Sequence, residues 1–195
     1  MRMEQDDSIV FCVDSSAFID INRYLSRLIP QLLDALDRLF NSGRIVSHIT
    51  VFDEITTYSK RPDRLSRWIR PRRAFFKDFS LQQAVLVSQI VQRFPTLIHQ
   101  NKEKDDADPW LIAMILERRA NPDLFSASQE MVIVSAESDV IANRLPDACR
   151  YYSIRHFDIA DFIAANGWRI TLNASQNSRH TQSQAEPPSP SAPEC

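Results

Sequence analysis

The chain has 195 residues, of which 44% are hydrophobic and 25% charged, a composition that predicts one folded domain with a substantial core. Its formal net charge of −2 excludes a global attraction to nucleic acid, so such binding would need a local basic patch. The sequence holds only two glycines, Gly43 and Gly167, which excludes the glycine-rich phosphate loops of Walker and Rossmann proteins.

Hydropathy and cysteine content predict where the protein resides. Apolar runs fall well short of the roughly 18 residues that span a bilayer, and the polar, acidic residues 1–7 do not resemble a signal peptide. Cys12, Cys149 and Cys195 are odd in number and match no zinc-binding spacing. We therefore expect a cytoplasmic protein with unpaired thiols and no membrane contact.

The first third of the chain predicts strands that alternate with helices. Residues 9–13 form an apolar run typical of a strand buried on both faces, and the run stops at Asp14, where a helical pattern begins. A second helix follows and ends at residues 41–43. Residues 44–49 then predict a second strand, and a short helix after it carries Glu54.

The same alternation continues to the end of the folded region. The pattern predicts a helix over 81–94, then a helix that opens at Asp106 or Asp108, then a strand over 131–134. A short helix through Ile141 and Leu145 follows and is interrupted at Pro146 and Asp147. A strand over 151–157 and a final helix capped by Asp158 complete the order. This order predicts an α/β three-layer sandwich with a mainly parallel sheet of four to five strands.

Composition divides the chain into three regions. Residues 1–7 predict a flexible N-terminal segment, and residues 8–170 predict the folded domain. Residues 171–195 are rich in Ser, Gln, Asn and Pro and cannot bury enough surface to offset the entropy of ordering, so we expect them to be disordered.

One segment, residues 60–73, is strongly basic. Seven of its 14 residues are Lys or Arg and only one is acidic. Arg61, Arg64 and Arg67 lie three residues apart, along one face of a helix, and Trp68 follows them. A solvated surface helix would explain the charge run. A nucleic-acid contact would explain it equally well, with arginines on phosphates and Trp68 stacked on a base.

Four acidic residues occupy comparable places in the predicted fold. Asp14 ends the first strand, Glu54 lies in the helix after the second, and Asp108 opens the helix before the third. Glu137 lies just past the end of that third strand. Because the carboxyl ends of parallel strands share one edge, these acids can meet in one cleft. Separately, each has a simpler interpretation: Asp14 and Asp108 as helix caps, Glu54 paired with an arginine, Glu137 solvated.

Converging carboxylates repel one another unless a cation neutralises them. Oxygen ligands without His or Cys at hand select Mg²⁺ or Mn²⁺, and the four histidines are scattered along the chain, which argues against zinc. A cation held in this way can activate water and stabilise charge on a phosphoryl group. The acids therefore predict phosphodiester hydrolysis.

Three short motifs carry a resemblance to a known family. They are VDSSAFI at 13–19, DPWLIA at 108–113 and VSAE at 134–137, with Glu54 between the first and second. In this order the motifs resemble the PIN-domain family, the nuclease module of bacterial VapC-type toxins and of several RNA-processing factors. The resemblance extends over about residues 8–168. It is strongest to a group of uncharacterised bacterial PIN-like proteins with an arginine-bearing insert after Glu54.

The resemblance implies a role for each matching position. It assigns catalysis to Asp14, Glu54, Asp108 and Glu137, with Asp14, Asp108 and Glu137 as metal ligands, and support of the site to Ser16 and Ser135. Asp106 and Asp147 are additional candidates. The sequence departs from the family at two places: most PIN domains have Asp where this chain has Glu137, and many have Asn in place of Ser16.

The function implied is that of a Mg²⁺- or Mn²⁺-dependent endoribonuclease. Its substrate would be single-stranded or looped RNA, held by the basic segment, with Glu54 orienting the metal or the water that attacks the phosphodiester. The resemblance also implies the toxin role in a type II toxin–antitoxin pair, with an antitoxin protein as partner and a homodimer as assembly. The alternative is a catalytically inactive PIN-like module that binds nucleic acid or a protein. A phosphatase with an Asp-x-Asp nucleophile motif would need an acid at Ser16.

Overall fold

Five parallel strands form the sheet of this protein. The computed structural model describes residues 8–25, 32–57, 63–98, 106–122, 129–137 and 144–168. The strands are β1 (Ile9–Val13), β2 (Ile45–His48), β3 (Phe76–Lys77), β4 (Glu130–Val134) and β5 (His156–Phe157). They lie in the order β3-β2-β1-β4-β5, and every neighbouring pair is parallel. Helices flank the sheet, which confirms the predicted α/β sandwich with a parallel sheet.

The helices alternate with these strands. They are α1 (Ser15–Asp20), α2 (Leu32–Asn41), α3 (Ile49–Thr57), α4 (Arg64–Ile69), α5 (Leu81–Arg93), α6 (Ala107–Ala120), α7 (Leu145–Tyr151) and α8 (Ile159–Ala165). A π-helical stretch, Ile21–Leu25, continues α1, and short 3₁₀ segments span Arg70–Phe75 and Pro95–Leu97. Asp158 caps α8 as predicted, since its side chain accepts a hydrogen bond from the Asp161 amide.

The strand order reverses at the centre of the sheet. From β1 the chain proceeds outward through β2 and β3, and β4 and β5 then extend the sheet on the other side of β1. The carboxyl ends of β1 and β4 therefore flank a topological switch point, where α/β proteins form their ligand crevice. At this point the amide of Asp14 donates to the carbonyl of Val134 at 2.9 Å.

The hydrophobic core is centred on β1. All five of its residues are buried, as expected of a strand covered by helices on both faces. Phe11 of β1 packs edge-on against Phe162 of α8, with ring centroids 4.9 Å apart. Since β1 is buried along its whole length, the residue at its carboxyl end is held by a rigid element.

Two predicted elements are corrected by the structure. The strand expected over 151–157 is limited to His156–Phe157, because α7 extends through Tyr151. Pro146 lies in the first turn of α7, where its missing N–H costs nothing, so it helps to begin this helix and does not interrupt one. Strand β3 was not predicted, because two residues are too few to show a period. The helix position at Ile141 lies outside the described residues, as do segments 1–7 and 171–195.

Two structural features relate to the predicted cytoplasmic location: the state of the cysteines and the length of the helices. Cys12 and Cys149 are buried free thiols, and Cys195 lies outside the described residues. Within the described ranges, no helix combines the length and the apolar character needed to cross a membrane.

The link from α2 to β2 depends on Gly43, which has φ of +71°. Its amide donates to Phe40 O at 3.0 Å and the next amide, of Arg44, donates to Leu39 O at 2.9 Å, the hydrogen-bond pair of a Schellman cap. A Cβ at this position would meet nothing within 4 Å, so the cost of a side chain is that of the left-handed backbone alone.

We expect Gly43→Ala to lower the free energy of unfolding by about 1 kcal/mol, measured by urea denaturation. Gly43→Asn should lower it less, because Asn tolerates this backbone conformation. Equal stability of the alanine variant and the wild type would contradict the assignment.

Candidate functional site

Asp14 lies at the carboxyl end of β1 and is only 4% exposed. Its Oδ2 accepts hydrogen bonds from the amide of Ser16 at 3.0 Å and from its hydroxyl at 2.6 Å. Asp14 is therefore the N-cap of α1, as the simpler interpretation predicted. The Ser16 hydroxyl also accepts from the amide of Ala136 at 3.0 Å. Through Ser16, the cap is tied to the loop that follows β4.

Glu54 connects the start of α1 to the start of α6. Its Oε2 accepts from the hydroxyl of Ser15 at 2.5 Å, and its Oε1 accepts from the amide of Ala107 at 3.3 Å. Ala107 is the first residue of α6 and immediately precedes Asp108. Glu54 thus lies between the two aspartates that the sequence placed at the same edge of the sheet.

Asp108 lies where the negative charges converge. Burial raises its pKa well above the ordinary value, and nearby carboxylates raise it further; in decreasing order of effect they belong to Asp14, Glu137, Glu54 and Asp106. Burial likewise raises the pKa of Asp14, with a contribution from Glu137, while the hydrogen bonds from Ser16 lower it. Asp108 is therefore within electrostatic reach of the other three acids that the sequence singled out, and of Asp106.

Asp106 precedes α6 and is buried at its N-cap position, but its side chain makes no capping hydrogen bond there. Asp108, in the first turn, is therefore joined by a second acid at the same helix end.

Glu137 is held by the residues at the start of α7. Its Oε2 accepts from the amide of Leu145 at 3.1 Å, and its Oε1 pairs with Arg144 at 3.3 Å. The hydroxyl of the fully buried Ser135 accepts from the Glu137 amide at 3.1 Å and shares a hydrogen bond of 2.8 Å with Nε2 of His156. Both oxygens of Glu137 are consequently engaged.

The donor set suits a hard divalent cation. Among the described residues, no three His, Cys, Asp or Glu side chains are grouped as they would be around a single ion. The hydrogen bonds described above engage both oxygens of Glu54 and both oxygens of Glu137. Mg²⁺, however, commonly uses one or two protein carboxylates and keeps several waters. Asp14 and Asp108 match that requirement in number and in chemistry.

Other predicted site residues lie apart from this carboxylate cluster. Asp147 is in the first turn of α7 and pairs with Arg150 of the same helix. Arg64 and Arg67 are exposed on α4, and Nε of Arg67 donates to the carbonyl of Asp63 at 3.3 Å. Arg61 lies outside the described residues.

Trp68, the predicted stacking residue, packs against the core. Its ring packs 5.9 Å from that of Phe40 and 6.4 Å from that of Phe18, and the guanidinium of Arg72 lies 4.3 Å from its centroid. Arg72 is fixed there by a two-point ion pair with Asp37, at 2.5 and 2.6 Å. Trp68 is thus half-buried against the core, with the guanidinium of Arg72 over its ring.

Three residues that support the site were not predicted. Ser15 is adjacent to Asp14, so the Asp-Ser-Ser run contained a local signal for it. Arg144 and His156 contact Glu137 and Ser135 from seven and 21 residues away, and nothing in the sequence pattern marks them.

A cavity of about 510 Å³ lies between the sheet and helices α5 and α6. Its lining includes Val46, Lys77, Gln83, Met114, Glu117 and Arg118. The acids of the cluster described above do not line it, so the candidate site is defined by converging charge at the switch point and not by this cavity.

The fold and site together define an α/β protein with buried and half-buried carboxylates at the switch point of a parallel sheet. Residues 11–170 match the family described as a domain of unknown function, DUF4411, and the chain belongs to this family. The matched range includes Asp14, Glu54, Asp108 and Glu137. A comparison with curated proteins finds no match.

The raised pKa of Asp108 predicts a pH-dependent cost in stability. The folded state binds the proton of the Asp108 carboxyl more tightly than the unfolded chain does. The stability gained from this protonation is therefore fully present below the ordinary pKa of about 4, and it is lost as the pH rises through the pKa that Asp108 has in the folded state. At pH 7, without divalent cations, Asp108→Asn should therefore raise Tm by at least about 2 °C, and the gain should shrink toward pH 4.

Calorimetry across this pH range provides the test, with Asp34→Asn, at an exposed position of α2, as the matched control. A Tm for Asp108→Asn below that of the wild type at pH 7 would show that Asp108 acts as a stabilising cap.

Proposed function

We propose that this protein is a Mg²⁺- or Mn²⁺-dependent endoribonuclease that hydrolyses phosphodiester bonds of RNA. The observation that carries the proposal is the position of Asp108, which is half-buried in the first turn of α6 and within electrostatic reach of four other carboxylates. A fold that only needed helix caps would gain nothing from such repulsion. A bound cation would relieve it, and the cost in stability would then serve a function.

Each residue of the cluster has a distinct part in this proposal. Asp14 and Asp108 hold the cation, which when bound supplies water activation and charge neutralisation at the phosphoryl group. Ser16 fixes the carboxylate of Asp14, and Ser15 fixes that of Glu54, which orients the attacking water. Glu137 joins the site when it is released from Arg144.

The substrate strand is held by exposed arginines of α4. Arg64 and Arg67 are both exposed, whereas Arg72 and Arg73 of the same basic segment pair with Asp37 and Asp78. Arg64 and Arg67 therefore supply the phosphate contacts in this proposal.

The motifs that resemble the PIN-domain family support the same assignment, since they contain Asp14, Asp108 and Glu137. We place the activity in the cytoplasm, which the free buried thiols of Cys12 and Cys149 support. The toxin role, the antitoxin partner and the homodimer stay predictions from the resemblance.

A catalytically inactive PIN-like module is the second candidate. The observation in its favour is that both oxygens of Glu137 already have partners, in Arg144 and the amide of Leu145. In such a module the acids serve only as caps and loop anchors, and divalent cations bind weakly.

Asp14→Asn and Asp108→Asn should each lower RNA cleavage in Mg²⁺ or Mn²⁺ by about 100-fold or more, because each removes a direct ligand. Mn²⁺ should raise Tm for the wild type and much less for either variant. Asp34→Asn is again the control, with cleavage and metal response unchanged.

Cleavage that both variants retain would refute the nuclease assignment. A wild type that neither cleaves RNA nor gains Tm with Mn²⁺ would establish the inactive module.

Exchange of Arg64 and Arg67 for Glu should reduce the slope of log Kd for RNA against log salt concentration by about one to two units. Fluorescence anisotropy across a salt series measures this slope. An unchanged slope would exclude these side chains from the phosphate contacts, and a slope change without lower affinity at low salt would argue against binding on this face.

A further inference from the structure

Phe79 is an exposed aromatic residue just past the end of β3, with 51% of its surface accessible. Its ring centroid is 4.9 Å from that of His48 and 4.7 Å from that of Trp110, and it stands nearly perpendicular to both rings, at 84° and 85°. His48 and Trp110 are themselves stacked, at 5.1 Å and 9°. Two packed rings therefore hold an aromatic side chain that leaves half of its surface open to solvent.

This aromatic trio, Phe79, His48 and Trp110, lies at the same edge of the sheet as the carboxylates. Trp110 is two residues beyond Asp108 in α6, and His48 is the last residue of β2. Phe79 follows the carboxyl end of the neighbouring strand β3. The trio and Asp108 therefore share one edge of the sheet.

The trio is rigid and uncharged. Nδ1 of His48 lies 2.9 Å from the hydroxyl of Thr50, and its Nε2 lies 3.2 Å from Oε1 of Gln83. Burial lowers the pKa of His48 to about 4, so the imidazole is neutral at physiological pH. A ring held in a fixed orientation loses little entropy when a planar ligand stacks on it.

Charged side chains of both signs surround Phe79. Lys77, two residues earlier, is exposed and pairs in register with His48. Asp78, which lies between Lys77 and Phe79 in sequence, forms an ion pair with Arg73. Helix α5, which starts two residues after Phe79, carries no charged residue before Arg93. Glu117 of α6 is a second acid here, and its two oxygens accept hydrogen bonds from the hydroxyl of Ser80 and the side-chain amide of Gln83, both at 2.5 Å. Both acids therefore have partners, and Lys77 supplies an exposed cation two residues from Phe79.

We propose that Phe79 is the platform on which a base of the substrate stacks, with Lys77 contacting the adjoining phosphate. The inference rests on the proposed nuclease function and names the substrate form: single-stranded nucleic acid, since the bases of a duplex are stacked within it. Stacking on one ring tolerates every base, so this contact confers affinity without sequence preference. Phe79 thereby takes the part that the sequence assigned to Trp68.

The test is binding of a fluorescein-labelled oligoadenylate of about ten nucleotides, measured by anisotropy in EDTA so that no cleavage occurs. Phe79→Ala should raise Kd by about tenfold or more, whereas Phe79→Tyr should retain the wild-type Kd. The matched control is Leu81→Ala, because Leu81 is exposed and apolar but cannot stack. An abasic strand of the same length should bind the wild type and Phe79→Ala equally.

An unchanged Kd for Phe79→Ala would overturn the inference, as would an equal loss on the abasic strand, which would make the effect structural or electrostatic. Failure of the wild type to bind the oligoadenylate would also overturn it and would favour a protein partner on this face. Cleavage that is insensitive to Asp14→Asn and Asp108→Asn would refute the nuclease instead. A Phe79-dependent Kd would then still establish base stacking.

Discussion

Repulsion among the acids at the switch point, two of them buried and three half-buried, constrains the rest of the fold. Asp108 lies within the electrostatic reach of four other acids, and burial adds to the cost of ionising it. The fold moderates this repulsion with hydrogen-bond donors placed around the cluster: the amides of Ser16, Ala107 and Leu145, the hydroxyls of Ser15 and Ser16, and the guanidinium of Arg144. These donors stabilise the outer acids, Asp14, Glu54 and Glu137. Four acids raise the pKa of Asp108, and Glu137 also raises that of Asp14.

The sheet topology explains why these acids lie at one edge of the sheet. Because β1 is central and its neighbours β2 and β4 extend in opposite directions along the sheet, the ends of β1 and β4 face one crevice. The hydrogen bond from Ala136 to Ser16 closes this crevice across 120 residues of sequence, and the bond from Ser15 to Glu54 closes it across 39. The buried body of β1 supplies the rigidity that such a charged cluster requires.

The basic segment illustrates how one composition serves two purposes. Arg72 and Arg73 anchor it to Asp37 and Asp78, and Arg72 also covers Trp68, so part of the charge is structural. Arg64 and Arg67 extend from α4 into solvent. A count of arginines cannot separate these roles, because the distinction depends on which acid lies opposite each one. The exchange of Trp68 for Phe79 as the exposed aromatic follows from the same packing: Trp68 is enclosed by Phe18 and Phe40, whereas Phe79 protrudes beyond the end of β3.

The sequence by itself determined the elements whose signals are local. An apolar run that stops at an acid defined β1 and Asp14, the glycine after α2 defined its end, and the alternation of strands and helices predicted the parallel sheet that gathers the acids. Tertiary structure alone decided the partners: Glu137 with Arg144, Glu54 with Ser15, Trp68 beneath Arg72, and a two-residue strand β3 that pairs only because β2 lies beside it. The reason is physical, since periodicity and capping depend on residues a few positions apart. Whether a carboxylate is free to bind a cation depends on distances between groups far apart in the chain, and only the folded structure sets those distances.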